Sequence, residues 1–210
     1  MKKILILSLL IFTTVVFGQT KKDNLTEKIE KILKDKKANV GVSIVEKNNK
    51  KIVDIKGNDF FPMLSTVKFP IALTILDKVQ KNELSLSQKI FIKKEELLEN
   101  PDNWSPFKEK YPNGNVEITL EEALSWMVSY SDNNLTDILL RLIGGPETVQ
   151  NFIDSKNFII KNDEEDMHKD WESQFINKIT PNEATKLLSK FLQWENFEYI
   201  HYKKALQCDA

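Results

Sequence analysis

The sequence is poor in the residues that staple or ligate. Its single cysteine, Cys208, has no second thiol to bridge to, so the fold has to hold by packing alone, even in an oxidising compartment. Two histidines, His168 and His201, make no zinc-ligand set without further cysteines and read as ordinary surface or packed residues. Neither sign of charge prevails: 30 Lys and Arg stand against 31 Asp and Glu, and no basic stripe marks a phosphate-backbone partner. Nucleic acid is therefore excluded. Repeats and low-complexity linkers are also missing, which leaves one compact unit. Only one long apolar run exists, Ile4 to Phe17, behind Lys2 and Lys3 and ahead of Gly18. It falls short of the roughly 20 residues that span a bilayer. The run reads as a secretory leader over residues 1–18, cleaved near Gly18, and no nearby cysteine offers a lipid anchor. Residues 19–210 then form a single domain large enough to bury a core.

What is present alternates between two periods. Asn24 is placed to cap a helix whose apolar positions Leu25, Ile29, Ile32 and Leu33 share one face. Residues 40–45 and 51–55 alternate around Asn48 and Asn49 as a β-hairpin. From Thr66 to Val79 the chain is apolar nearly all round, which predicts a buried helix with Pro70 in its first turns. Thr119 and Glu122 have capping-box spacing before a helical segment. Another helix is expected from Asn134 to Ile143, stopped by Gly144 and Gly145, and Pro146 suits the first position of the next. Residues 161–180 are acidic and weakly periodic, as in a long surface loop, and Thr180-Pro181 restarts a helix to about Trp194. Strands followed by helices make an α+β pattern whose sheet looks unfinished.

Two short motifs carry chemistry. Ser65-Thr66-Val67-Lys68 opens the apolar helix, and a spacing of three sets both side chains on one face, a turn apart. A serine hydroxyl attacks only once its proton is removed, and burial, which disfavours an ammonium, suits a lysine to that task. The helix head also offers backbone N–H groups to a developing oxyanion. Ser131-Asp132-Asn133 lies between two helices, where all three residue types also serve as ordinary caps. Each motif alone is common.

Together they resemble the active-site serine β-lactamases and penicillin-binding proteins. The resemblance extends through FFPMLSTVKFPIAL, NWSPFKEKYP, SYSDNNLTDILL and LIGGPETV, from about residue 25 to 194. The segment Asn162-Asp163-Glu164-Glu165-Asp166-Met167-His168 is similar to the Ω loop of class A enzymes, where the deacylating glutamate precedes a Met-His pair by three residues. That selects Glu164, with Glu165 as the alternative. The resemblance implies a helical subdomain beside an antiparallel sheet, and a Ser65 that attacks a β-lactam carbonyl. Lys68, or Glu164 through a water, would take its proton; Ser131 would pass one to the departing nitrogen. It further implies that Asn133 binds the substrate's side-chain amide, that Trp104 forms an aromatic wall, and that Asp132 fixes its loop through backbone contacts. A monomer delivered to the periplasm, free of the membrane once the leader is cut, with a small β-lactam as its partner and no cofactor, completes the expectation.

The family's third motif, Lys-Thr-Gly or Lys-Ser-Gly on a central strand, is absent. The last of the six glycines is Gly145, and the segment from Glu195 onward lacks strand alternation. That strand supplies an oxyanion donor worth about 10²–10³ in rate. The expectation is a chain truncated ahead of that strand, comprising the front two-thirds of a class A β-lactamase. It neither completes its sheet nor turns over substrate as it stands. A D,D-peptidase, a penicillin sensor and an inactive remnant are the competing readings.

Overall fold

The computed structural model describes residues 20–193, apart from 47, 49, 101, 102 and 168, and only the backbone of 20–24. The expected leader, His168, Trp194, His201, Cys208 and the segment from Glu195 lie outside the described residues. Helix α1 spans Thr20–Leu33. It begins ahead of Asn24, so Asn24 is an interior residue rather than the cap. The polar residues before it cost a helix only tenths of a kcal/mol each, too little to stop it. Strands β1 (Val42–Val45) and β2 (Lys51–Ile55) form the expected antiparallel hairpin, with a one-residue irregularity between Ile44 and Val45. Helix α1 lies on β2.

Strand β3 (Phe61–Pro62) leads into a 3₁₀ turn, Leu64–Val67, and then into α2, Lys68–Gln80. Pro70 sits third in α2, where a missing N–H is no loss. Residues Ile71 to Leu76 are buried on every side, as the unbroken apolar run requires. Strands β4 (Lys89–Ile92) and β5 (Val116–Thr119) pair antiparallel and bracket α3 (Pro106–Lys110), which the Ser105 hydroxyl caps. These strands add to the expected set; four residues each are too few for alternation to stand out.

Helix α4 (Leu120–Ser129) is capped by Thr119, which accepts from the Glu122 N–H. The reciprocal half of the expected box is not formed: the Glu122 carboxylate accepts instead from the Trp126 indole at 3.5 Å. Helix α5 (Asn133–Leu142) starts one residue early because Asp132 is its cap, and Gly144 and Gly145, at φ +98° and +88°, turn the chain into α6, Pro146–Ile153. Helix α2 packs against α4 and α6, and α5 against α4, around Ile75, Leu120, Met127, Leu135 and Leu139, all fully buried. Truncating any of these to alanine would cost about 2–5 kcal/mol.

The stretch 161–180 corrects the expectation of a plain surface loop. Beyond β6 (Phe158–Ile159) it holds a short helix α7 (Glu164–Met167), a 3₁₀ turn Ser173–Phe175 and strand β7 (Lys178–Ile179). Strand β7 is central in the order β3-β7-β6. Glu164 and Met167 are buried. The acidic residues other than Glu164 are half-buried or exposed. Finally α8 (Pro181–Leu192), capped by Thr180, folds back on β1: the Ser43 hydroxyl donates to Asn182 Oδ1 at 2.8 Å. Among the described residues β1 pairs with β2 alone, and no helix is long and apolar enough to cross a membrane.

Candidate active site

The site forms where the head of α2, the α4–α5 connection and α7 meet. Ser65 lies in the 3₁₀ turn and is exposed, while Lys68, one turn on, is 3 % exposed. The nucleophile candidate thus faces solvent and the cation lies beneath it. Leu64, just before Ser65, holds φ +46°, a left-handed conformation that costs a branched residue of order 1–3 kcal/mol and is kept only where its surroundings insist.

Lys68 Nζ donates to Glu164 Oε1 at 2.6 Å, to Asn133 Oδ1 at 2.8 Å and to Ser65 Oγ at 3.4 Å. An ammonium has three protons, and each has its acceptor. The pair with Glu164 is buried on both sides. Removing one partner of such a pair strands the other charge at about 3–5 kcal/mol.

Glu164 is held by its backbone. Asp137 Oδ1 accepts from the Glu164 N–H at 2.7 Å and Oδ2 from the Glu165 N–H at 3.1 Å. Burial, followed by the neighbouring charges of Asp163 and Glu164, pushes the Asp137 carboxyl up to about 7, against the lowering effect of those two N–H donors. Glu165 is exposed and turned outward, so of the two candidate acids the fold brings Glu164 to Lys68.

The ends of the loop are latched by Asn177, which is fully buried. Its Oδ1 accepts from the N–H groups of Lys161 and Asn162, its Nδ2 donates to the Asn162 carbonyl at 2.8 Å, and its own carbonyl accepts from the Met63 N–H at 2.9 Å. Met63 is two residues from Ser65, so one asparagine ties the loop to the nucleophile's turn.

Between α4 and α5, Ser131 adopts φ +56°. Asp132, fully buried, accepts from the Ser105 hydroxyl and the Phe107 N–H, both at 2.8 Å, and from the Leu135 N–H at 2.9 Å. These contacts hold the loop, as expected of it; desolvation raises its pKa, and the hydrogen bonds offset that only in part. Asn133 is 7 % exposed and Trp104 is 58 % exposed. The sequence reading missed Asp137, Asn177 and Ser105. A single aspartate inside the apolar stretch Leu135 to Leu140 was the one available signal for Asp137; Asn177, among many asparagines, had none.

A helical lobe carrying a serine and a buried lysine at its central helix, flanked by an antiparallel hairpin, defines an active-site serine fold. The model of the β-lactamase enzyme family matches residues 24–207, and the chain belongs to that family, in its class A branch. It is 47% identical to Beta-lactamase VEB-1 of Pseudomonas aeruginosa over 190 residues, covering 89% of this chain and 62% of that relative. It is similar to the crystal structure of the TLA-1 extended-spectrum β-lactamase, at 45% identity and TM-score 0.80, covering 87% of this chain and 66% of that one. A class A β-lactamase from Bacteroides cellulosilyticus is 33% identical with TM-score 0.79, covering 89% and 66%. The chain therefore spans less than two thirds of the length of these relatives.

Proposed function

We propose that these residues belong to a protein that hydrolyses the β-lactam ring of penicillin- and cephalosporin-type antibiotics through a serine acyl-enzyme, and so confers resistance. The observation that carries the reading is the Lys68 ammonium, held at once by Ser65, Asn133 and Glu164. Ser65 Oγ attacks the lactam carbonyl, and its proton leaves through a water to Glu164, or to Lys68 once that ammonium has passed one of its own protons to the Glu164 carboxylate. Ser131 delivers a proton to the nitrogen as the C–N bond breaks. Glu164 then takes a proton from the water that cleaves the ester. Asn133 binds the substrate's side-chain amide, and Trp104 borders it. The leader over residues 1–18 delivers a monomeric domain, residues 19–210, to the periplasm.

The test uses residues 19–210 continued by the part of VEB-1 that follows its matched stretch, hereafter the fusion. The fusion should be labelled by a fluorescent penicillin and should hydrolyse nitrocefin, and Ser65→Ala should abolish both while leaving the thermal transition in place. Labelling that survives in Ser65→Ala and maps to another residue would overturn the assignment.

A further inference from the structure

Trp104 touches the Tyr130–Asn133 segment at both of its ends. Its indole Nε1 donates to the Tyr130 carbonyl at 3.0 Å, and its own carbonyl accepts from the Asn133 N–H at 3.0 Å. The middle of that segment is held separately, by the three bonds to the Asp132 carboxylate. The Asp132 N–H also donates to the Trp126 carbonyl at 3.2 Å, and at the Tyr130 carbonyl the donor seen among the described residues is the Trp104 indole. The Tyr130 carbonyl and the Ser131 N–H belong to one rigid peptide plane, and the φ of Ser131 is the rotation of Ser131 against that plane. Pinning the carbonyl therefore fixes the reference from which the left-handed φ of +56° is set. Serine does not favour that region on its own. The indole itself is more than half exposed, so packing does not dictate where its N–H points. The Tyr130 ring leans the other way, onto Trp126 at 4.8 Å between centroids, which leaves the Tyr130 carbonyl open to the Trp104 side.

We propose that Trp104 is a positioning residue for Ser131: its indole N–H pins the peptide before the serine and so holds the hydroxyl where the departing nitrogen needs a proton. This rests on the acyl-enzyme reading above. In the step concerned, the Ser65 Oγ–carbonyl bond forms, the C–N bond breaks, the Ser65 proton goes to its base, and Ser131 passes its own proton to nitrogen and is restored by the proton that the base took up, so that the net transfer is from Ser65 to nitrogen. A penicillin nitrogen leaves as a saturated amine and depends on that proton. A cephalosporin that expels a group from its 3′ position spreads the electron pair over the ring system and depends on it less. A residue that merely borders the substrate would respond to the size of the acyl side chain instead, and would be blind to the ring.

The experiment compares the fusion with its Trp104→Phe variant, which keeps an aromatic ring and the main-chain acceptor and loses only the N–H. The substrates are a penicillin and a 3′-leaving-group cephalosporin with the same acyl side chain. The acylation rate should fall about tenfold for the penicillin, a partial loss of what a placed proton donor contributes, and at most about threefold for the cephalosporin, with KM within about twofold for both. Independently of activity, amide hydrogen exchange at residues 131 and 132 should quicken in the variant. Equal slowing of both substrates, a change confined to KM, or unaltered exchange at 131 and 132 would overturn the proposal while leaving the nucleophile assignment standing. A parent fusion that Ser65 does not acylate would instead remove the proposed function, and this inference with it.

Discussion

At the scale of single residues, the site is a set of saturated groups. Lys68 spends all three protons on Ser65, Asn133 and Glu164, so a change at any acceptor is felt by the others. In the fusion, Glu164→Ala should let an acyl-enzyme accumulate, seen by intact-mass measurement after a penicillin pulse, and Glu165→Ala should change little because that side chain faces outward. The reverse pattern would move the base to Glu165. Asp137 adds a pH dependence. Its carboxyl titrates at about 7 in the fold against about 3.9 unfolded. Between those values the folded state binds the extra proton, so stability from this group is greatest at the acid end and declines as pH rises toward 7. A shift of that size is worth on the order of a few kcal/mol. Thermal unfolding of the fusion and of Asp137→Asn should therefore diverge from pH 4 to pH 7 in favour of the asparagine variant, then run parallel above. A constant difference across that range would contradict this account of Asp137.

At the scale of elements, the loop between β6 and β7 behaves as one latched unit. Asn177→Ala would remove the acceptor that the partly buried N–H groups of Lys161 and Asn162 share, at about 0.5–1.5 kcal/mol for each. The fusion carrying it should show a lower melting temperature, faster proteolytic nicking between 161 and 176, and a longer-lived acyl-enzyme as Glu164 loses its place. Unchanged nicking would mean that other contacts hold the loop. This unit also marks the boundary of what could be read from the chain. Ser65, Lys68, Ser131 and Asn133 stand in motifs whose spacing is local, and α2 and α5 follow from apolar runs long enough to show their period. Asp137 acts on backbone 27 residues away, and Asn177 on backbone 15 residues away. Their partners are main-chain groups, which leave no mark in the sequence. Strands β3, β6 and β7, two residues each, are likewise products of pairing rather than of pattern.

For the molecule as a whole, the weak point is the hairpin. The helical lobe surrounds α2 with a dense core, whereas β1 has one strand partner among the described residues. Helices α1 and α8 pack on the hairpin, but two strands with an open edge remain marginal beside the helical core. Residues 19–210 made as a separate polypeptide should accordingly give a broad, low calorimetric transition and no Ser65-dependent nitrocefin turnover, while the fusion gives a sharp one. A sharp two-state transition with turnover from residues 19–210 alone would show that the hairpin needs no further strand. The bond from Ser43 to Asn182 also sets a clock. These residues are 139 positions apart, and at about 5–20 residues per second the ribosome delivers the second roughly 7–28 s after the first. Until then β1 has no α8 to meet, and the sheet side of the fold cannot close on the helix that covers it.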